Sequence, residues 1–378
     1  MKWSPQQDAA LRDFQAWFKS GAPGQVFHLL GYAGTGKTSL ALELSQSISG
    51  LVLFAAFTGK AASVMKSKGC RNATTVHSLI YVPKKASRSK LIQLELAWSR
   101  EEDLEKKAEL FKELTEERKK ASQPAFALDE NSILKTAALL ILDECSMIDA
   151  RMGQDLLSFG VPILVLGDPA QLFPVKGSGF FMTESPAVML TEVHRTALDN
   201  PVLMLATKIR NGEALEYGDY GESRICRNAD LVDGCALDFD QVLVGKNVTR
   251  IGANRKMRAR LGRVDPFPEP EDRVICLRNN HDLGLLNGTL FRVLSSEDAG
   301  YEILMKLAPD DGGDSLDVEA FRQPFLGEDT PRWNNEGLEE FTYGYAITCH
   351  KAQGSEWGTV FIVDESAVFR ADRNRWLY

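Results

Sequence analysis

Three short stretches carry residue types suited to phosphoryl chemistry. Gly31-Tyr32-Ala33-Gly34-Thr35-Gly36-Lys37-Thr38 has the spacing G-x-x-x-x-G-K-[ST]. Its glycines let backbone N–H groups close on a phosphate, and a helix opening at Lys37 adds partial positive charge there. That assigns Gly34, Thr35, Gly36, Lys37 and Thr38 to nucleotide binding, with Lys37 reaching the β- and γ-phosphates and Thr38 ligating Mg2+. Leu139-Leu140-Ile141-Leu142 runs into Asp143-Glu144. Beside a phosphate loop Asp143 is the natural Mg2+ partner. Glu144 is placed to orient or deprotonate a water, which implies hydrolysis more than transfer. Two acids capping a following helix would be the plain structural alternative. Val165-Leu166-Gly167-Asp168-Pro169-Ala170-Gln171 repeats the pattern and would deliver Gln171 to the γ-phosphate. Alone that stretch reads as a turn. The three together point to ATP and Mg2+ chemistry.

These groups need a sheet to hold them. Residues 5–20 are predicted to form a helix, with Ser4 as N-cap, Pro5 at the first position and Leu11, Phe14, Trp17 and Phe18 as an apolar stripe. Apolar strands are predicted at 26–30, 51–57, 138–142 and 163–166, with a helix from about residue 37 to 47. Apolar strands alternating with helices indicate an α/β fold built on a parallel sheet. Residues 84–120 differ: 84–90 are basic, 100–120 carry both charges densely, and Leu104, Ala108, Phe111 and Leu114 keep helical spacing. They read as an inserted, mostly helical subdomain. A second α/β region starts near Leu190. Short strand-like pieces at 290–294 and 301–307, set among Gly and Asp, read as a small β module inserted in it.

Composition bounds the rest. The 378 residues are 44% hydrophobic and 25% charged, which excludes a collagen-like, disordered or coiled-coil chain. No apolar run reaches membrane-spanning length and no signal core opens the chain, so a cytoplasmic protein without membrane association is expected. Six scattered cysteines without a Cys-x-x-Cys pair argue against a zinc site or a disulfide framework. A net charge of −8 means that nucleic-acid binding would have to use local patches. Arg255, Lys256, Arg258 and Arg260 form one basic cluster and residues 84–90 another; a solvated face explains each about as well as DNA contact. His28 and His281 read as structural.

The motifs, in order, resemble a superfamily 1B helicase of the RecD-like group, and the match runs over almost the whole chain. Ser4-Pro5-Gln6-Gln7-Asp8 is similar to the family's glutamine motif, which implies that Gln7 reads the adenine edge. Phe57-Thr58-Gly59-Lys60-Ala61-Ala62 and Thr74-Thr75-Val76-His77-Ser78-Leu79 resemble DNA-contact motifs. Asp143–Met147 and Gly167–Val175 resemble motifs II and III, with Phe173 where a proline is usual. Leu190-Thr191-Glu192-Val193-His194-Arg195 looks like motif IV, so Arg195 is carried over as an arginine finger. Arg278-Asn279-Asn280 and Asn287-Gly288 resemble the approach to an SH3-like insertion. Residues 346–356 resemble motif V, in contact with both DNA and nucleotide. The resemblance thus implies nucleotide contacts by Gly354 and Glu356, and DNA contacts by Phe57, Thr58, Lys60, His77, Asn280, Thr348, His350 and Lys351. It also implies two RecA-like domains in tandem. The first takes residues 1–83 and 136–188, with a helical insertion at 84–135. The second takes 189–287 and 341–378, with an SH3-like insertion at 288–340. The family's motif VI, with a second γ-phosphate arginine, is expected just where the chain stops at Tyr378, so a truncated chain or a fragment is expected, and hydrolysis by it alone is in question.

The function so implied is an ATP-dependent helicase that moves 5′→3′ on single-stranded DNA and unwinds forked duplex DNA. The resemblance also implies a monomer, a single-strand-binding or replication protein as partner, and a replication or repair role in a bacterium or a virus-infected host cell. Two other classes stay open: a DNA-dependent phosphate-loop ATPase that does not unwind, and a nucleotide-regulated single-strand-binding module without turnover. A small-molecule kinase fits less well, because Glu144 suits a water nucleophile.

Overall fold

The computed structural model describes residues 3–21, 25–83, 94, 96–101, 103–121, 126–172, 179–182, 186–192, 200–280, 283–310, 312–330 and 337–378. The chain opens with helix α1 (Pro5–Ser20). The Ser4 side chain accepts from the Gln7 N–H, the Gln7 side chain accepts from the Ser4 N–H, and Gly21 ends the helix in the left-handed region. Strand β1 (Val26–Gly31), helix α2 (Lys37–Gln46), strand β2 (Val52–Ala56), helix α3 (Gly59–Ser67), strand β3 (Ala73–Thr75) and helix α4 (Val76–Ile80) follow. Strand β4 (Tyr81–Pro83) pairs antiparallel with β5 (Phe126–Leu128), and between them lies the long helix α5 (Leu104–Ala121). Strand β6 (Leu139–Asp143), helix α6 (Ala150–Ser158), strand β7 (Ile163–Gly167) and strand β8 (Val188–Leu190) complete the first lobe.

Its six-stranded sheet has the order β3-β2-β6-β7-β1-β8, and every pairing in it is parallel. Strand periodicity splits its apolar residues between two faces. Leu29, Ile141, Leu164 and Leu166 pack beneath α1 and α2, where Phe14 meets Phe27 edge-on at 5.5 Å. Leu140, Leu142, Ile163 and Val165 pack on the other side with Ile80, Met152 and Leu156. Both faces are covered, so the strands are continuous apolar runs.

The second lobe contains helix α7 (Pro201–Arg210), the hairpin of β9 (Gly218–Tyr220) and β10 (Ser223–Ile225), strand β11 (Gln241–Val244) and helix α8 (Asn247–Arg260). Next come β12 (Arg273–Cys276), β13 (Leu290–Asp298), β14 (Glu302–Pro309), β15 (Leu316–Phe321) and β16 (Phe341–Tyr343). Then follow β17 (Ala346–Thr348), the short helix α9 (Cys349–Ala352), β18 (Val360–Ile362) and a final helix α10 (Arg373–Leu377). A parallel sheet β17-β11-β18 sits beside an antiparallel sheet β15-β14-β13-β12-β16. The antiparallel sheet thus takes strands at 273–276 and 341–343 as well, beyond the 288–340 insertion bounds read from the sequence. Among the described residues no helix is long and apolar enough to cross a membrane.

Two polar knots hold the second lobe. Arg258, buried on α8, donates from Nε to Asp272 Oδ1 at 3.0 Å and from Nη2 to Asp272 Oδ2 at 2.9 Å, and lies 4.3 Å from the Tyr343 ring centroid. Arg263 and the Tyr345 hydroxyl also donate to Asp272 Oδ1. Neither sequence reading of the 255–260 basic cluster holds for Arg258, because an unsolvated charge must find a carboxylate. Arg260 pairs with Asp233, and Arg255 donates to the Leu326 carbonyl.

The second knot is Glu365, after β18. Its carboxylate accepts from the Gly245 and Lys246 N–H groups at 2.8 and 2.9 Å and from Thr249 Oγ1 at 2.7 Å, at the head of α8. Burial opposes its charge, but these bonds and Lys246 outweigh burial and hold the carboxyl below the usual glutamate range. A lowered carboxyl stabilises the fold above its unfolded value and ceases to do so as pH falls through its folded one. Glu365→Gln should therefore lose about 2 kcal/mol of stability at neutral pH, from the charge-assisted bonds. The deficit should shrink below about pH 4.5, the ordinary glutamate value. Urea melts of both proteins from pH 3 to 7 test this; a deficit independent of pH would refute it.

Candidate functional site

Parallel strands end at the same edge of a sheet, and β6, β7 and β1 are neighbours. Gly31, Asp143 and Gly167-Asp168 are therefore delivered side by side. The loop from Gly31 turns through Gly34 and Gly36, both left-handed at φ 75° and 78°, before α2 begins at Lys37. A side chain with a Cβ is strained in that region, which explains glycine at both positions. Lys37 Nζ donates to the Gly31 and Tyr32 carbonyls at 2.7 and 3.0 Å. Desolvation lowers its pKa, while Asp168, Asp143 and Glu144 oppose that. Thr38 Oγ1 donates to Asp143 Oδ2 at 3.3 Å, and Asp143 Oδ1 accepts from the Glu144 N–H at 2.9 Å.

Glu144 adopts a left-handed conformation, φ 53°, rare for a residue with a Cβ. The turn aims its carboxyl into the cleft, where Oε2 is enclosed and, among the described residues, has no hydrogen-bond partner. Burial first, and then the Asp143 charge, push its pKa up to about 7, against the pull of Lys37. Asp143 is raised too, mainly by burial. Glu144 and Gln171 from the first lobe border one cleft of about 180 Å3 with Gln353, Gly354, Arg375, Trp376 and Tyr378 from the second. Tyr378 spans it: its hydroxyl accepts from the Ala33 N–H at 2.8 Å and donates to Asp168 Oδ2 at 2.7 Å. Gln353 Nε2 donates to the Leu172 carbonyl at 3.1 Å.

Gln7 is buried and engaged within the protein, on the Ser4 N–H and on the Thr35 carbonyl at 3.0 Å each. Its neighbour Gln6 takes the Thr191 and Glu192 N–H groups. Glu356 forms a 2.9 Å ion pair with Lys68. Lys68 borders a separate recess with Trp3, Thr38 and Ser39. Arg195, residues 84–90, Phe173 and His281 lie outside the described residues.

Of the residues expected to touch DNA, Thr58 lies at the seam between the lobes. Thr58 caps α3, its Oγ1 accepting from the Ala61 N–H. A Cβ on Gly354 would lie 2.8 Å from Ala61 Cβ and 3.1 Å from Thr58 Oγ1, so only glycine allows this approach. A Cβ on Gly59 would lie 2.7 Å from Leu286 Cβ. The next residue, Asn287, accepts from Lys351 Nζ at 2.6 Å. Lys60 follows Gly59 on α3, half-buried. The Phe57 and His77 rings are 5.9 Å apart, and burial lowers the His77 pKa. Thr348 and His350 flank the start of α9, His350 facing Phe369 at 6.0 Å. Asn280 instead donates to Glu339 Oε1 at 2.6 Å, next to the antiparallel sheet.

A phosphate loop on a RecA-like parallel sheet, facing a second lobe across a cleft, defines a phosphate-loop nucleotide-binding protein of two tandem lobes. The family model described as AAA domain matches residues 2–225, and the one described as UvrD-like helicase C-terminal domain matches residues 343–378. The chain belongs to the AAA-domain family. The ATP-dependent RecD2 DNA helicase of Deinococcus radiodurans is 27% identical over 380 residues, covering 92% of this chain and 44% of that protein. The chain therefore spans less than half the length of that curated relative. In fold it is similar to a structure of two coordinating Pif1 helicases at forked double-stranded DNA, with TM-score 0.54, 21% identity, and 96% and 86% of the two chains covered. It is likewise similar to Bacteroides Pif1 bound to single-stranded DNA, with TM-score 0.53, 20% identity, and 97% and 87% covered.

Sequence reasoning missed Tyr378 and Gln353 as cleft residues. Gln353 lay inside a stretch already singled out, whereas Tyr378 carried no local signal. The raised Glu144 carboxyl yields a pH test in metal-free buffer. An acid raised from 4.5 to about 7 keeps its proton in the fold across that window, so stability falls as pH rises through it. Relative to Glu144→Gln, the wild type should lose up to about 3 kcal/mol between pH 4.5 and 7.5. Parallel melting curves across that range would show that Glu144 titrates normally.

Proposed function

We propose that this chain is an ATP-dependent DNA helicase that couples hydrolysis to movement on single-stranded DNA, 5′→3′, and unwinds a forked duplex. The observation that carries the reading is the single cleft that joins Glu144 and Gln171 of one lobe to Gln353 and Tyr378 of the other. The seam beside it brings together the expected strand contacts Thr58, Lys60 and Lys351. Nucleotide chemistry and strand grip thus share one hinge line.

In this reading the loop amides and Lys37 cradle the phosphates, and Lys37 exchanges the Gly31 and Tyr32 carbonyls for phosphate oxygens. Thr38 Oγ1 and Asp143 Oδ2 suit Mg2+, being hard oxygen donors side by side at the phosphate loop. Bound with ATP, that ion neutralises phosphate charge. Glu144, with one enclosed unpartnered oxygen, takes the proton of an attacking water, and Gln171 orients that water. Arg195 serves as an arginine finger and the second lobe closes with it. Gln7 shapes the loop through Thr35 and reads the adenine edge. Phe57, His77, Thr348, His350 and Lys351 grip the strand by stacking and phosphate contact, with Asn280 at the far edge. The protein acts as a monomer in the cytoplasm, alongside a single-strand-binding or replication protein.

Phosphate release from ATP, with and without single-stranded DNA, tests the core of this reading; stimulation by DNA is expected. Lys37→Ala should retain single-strand binding within about threefold while release and fork unwinding fall by more than about a hundredfold. If that variant still unwinds, the site is misassigned. Release without unwinding by the wild type would favour a DNA-dependent ATPase that does not separate strands. Binding of both ligands without release would favour a nucleotide-regulated binding module.

A further inference from the structure

The second lobe places a cation on the phosphate loop that none of the motifs names. Arg210 is the last residue of α7, and its guanidinium carbon lies 3.7 Å from the centroid of the Tyr32 ring. Tyr32 is the second residue of the phosphate loop, and its N–H is held by the Leu190 carbonyl at the end of β8. Arg210 is half-buried, and among the described residues no carboxylate pairs with it. The neighbouring α10 carries Tyr378, whose hydroxyl feels the Arg210 charge while bridging Ala33 and Asp168.

Position within the loop decides which end of a nucleotide Arg210 would meet. Lys37, the contact to the β- and γ-phosphates in this reading, has its Nζ 3.0 Å from the Tyr32 carbonyl. The next residue, Ala33, is tied through the Tyr378 hydroxyl to Asp168, and Tyr378 lines the cleft that holds Glu144 and Gln171. That is the hydrolytic side, where the terminal phosphate must lie if Glu144 handles the water. A guanidinium held over an aromatic face can still direct its N–H donors to a partner beyond the ring, a state suited to a directional bond with a phosphate oxygen.

We propose that Arg210 is a further nucleotide-binding residue, a second-lobe arginine that is parked on Tyr32 and pairs with the terminal phosphate of ATP. This rests on the reading of the loop as an ATP site. It makes affinity depend on the third phosphate and gives α7 a direct contact that ADP cannot offer.

The test compares affinities of the 378-residue chain for a fluorescent non-hydrolysable ATP analogue and for fluorescent ADP. Arg210→Ala should weaken the ATP analogue about tenfold and ADP less than about twofold. Tyr32→Leu, which removes the platform but keeps the charge, should move the same ratio in the same direction by a smaller factor. Equal losses for both nucleotides would mean a general disturbance of the loop, and unchanged affinities would mean no contact; either overturns the proposal. Lys37→Ala, which should weaken both nucleotides, reads the ATP site independently. If the wild type binds neither nucleotide, the site reading itself fails first, and that result is distinct from a selective failure at Arg210.

Discussion

An ammonium group drawn out of water must be surrounded by oxygens, and the arrangement around Lys37 follows from that requirement. Two loop carbonyls accept hydrogen bonds from it, and Asp168, Asp143 and Glu144 supply opposing charge. Three adjacent parallel strands can provide such a setting, because each ends its apolar run at the same edge and turns polar there. The order β6-β7-β1 is thus as much a part of the site as the lysine. The same crowding raises the Glu144 carboxyl and leaves Thr38 facing Asp143.

The seam between lobes depends on missing side chains. Gly354 and Gly59 each lie where a Cβ would collide with the opposite lobe. Their absence lets backbone approach backbone, so a small rotation of one lobe is felt directly by Thr58 and by the Asn287–Lys351 pair. Tyr378 and Gln353 add hydrogen bonds across the same seam. Hydrogen bonds of this kind rearrange at modest cost, whereas the sheets on either side are closely packed and do not deform.

What could be read from the sequence was local in the chain. The phosphate loop, the Asp143-Glu144 pair and Gln171 follow strands whose apolar runs are plain, and α1 announces itself through Ser4, Pro5 and Gly21. Contacts between distant residues could not be read. Gln7 and Thr35 are 28 residues apart, and Ala33 and Tyr378 are 345 apart; neither pairing leaves a trace in spacing or composition. Arg258 looked like one of several exposed cations, and only the fold shows Asp272 beneath it. Strands β12 and β16 extend the antiparallel sheet, and their short apolar runs did not say which sheet they would join.

The Arg258–Asp272 knot has a mechanical consequence. It clamps α8, which packs on the parallel sheet, to the loop that starts the antiparallel one. Asp272 bonds to Val293 within β13, and the strand runs on from there to Asp298, so the antiparallel sheet projects ~17 Å from that clamp. A rigid arm of this length converts angle into distance. A turn of about 10°, ordinary for domain motion, sweeps its tip through ~3 Å while hardly moving residues at the pivot. Whatever touches the outer end of that sheet feels an amplified stroke, with force reduced in the same proportion.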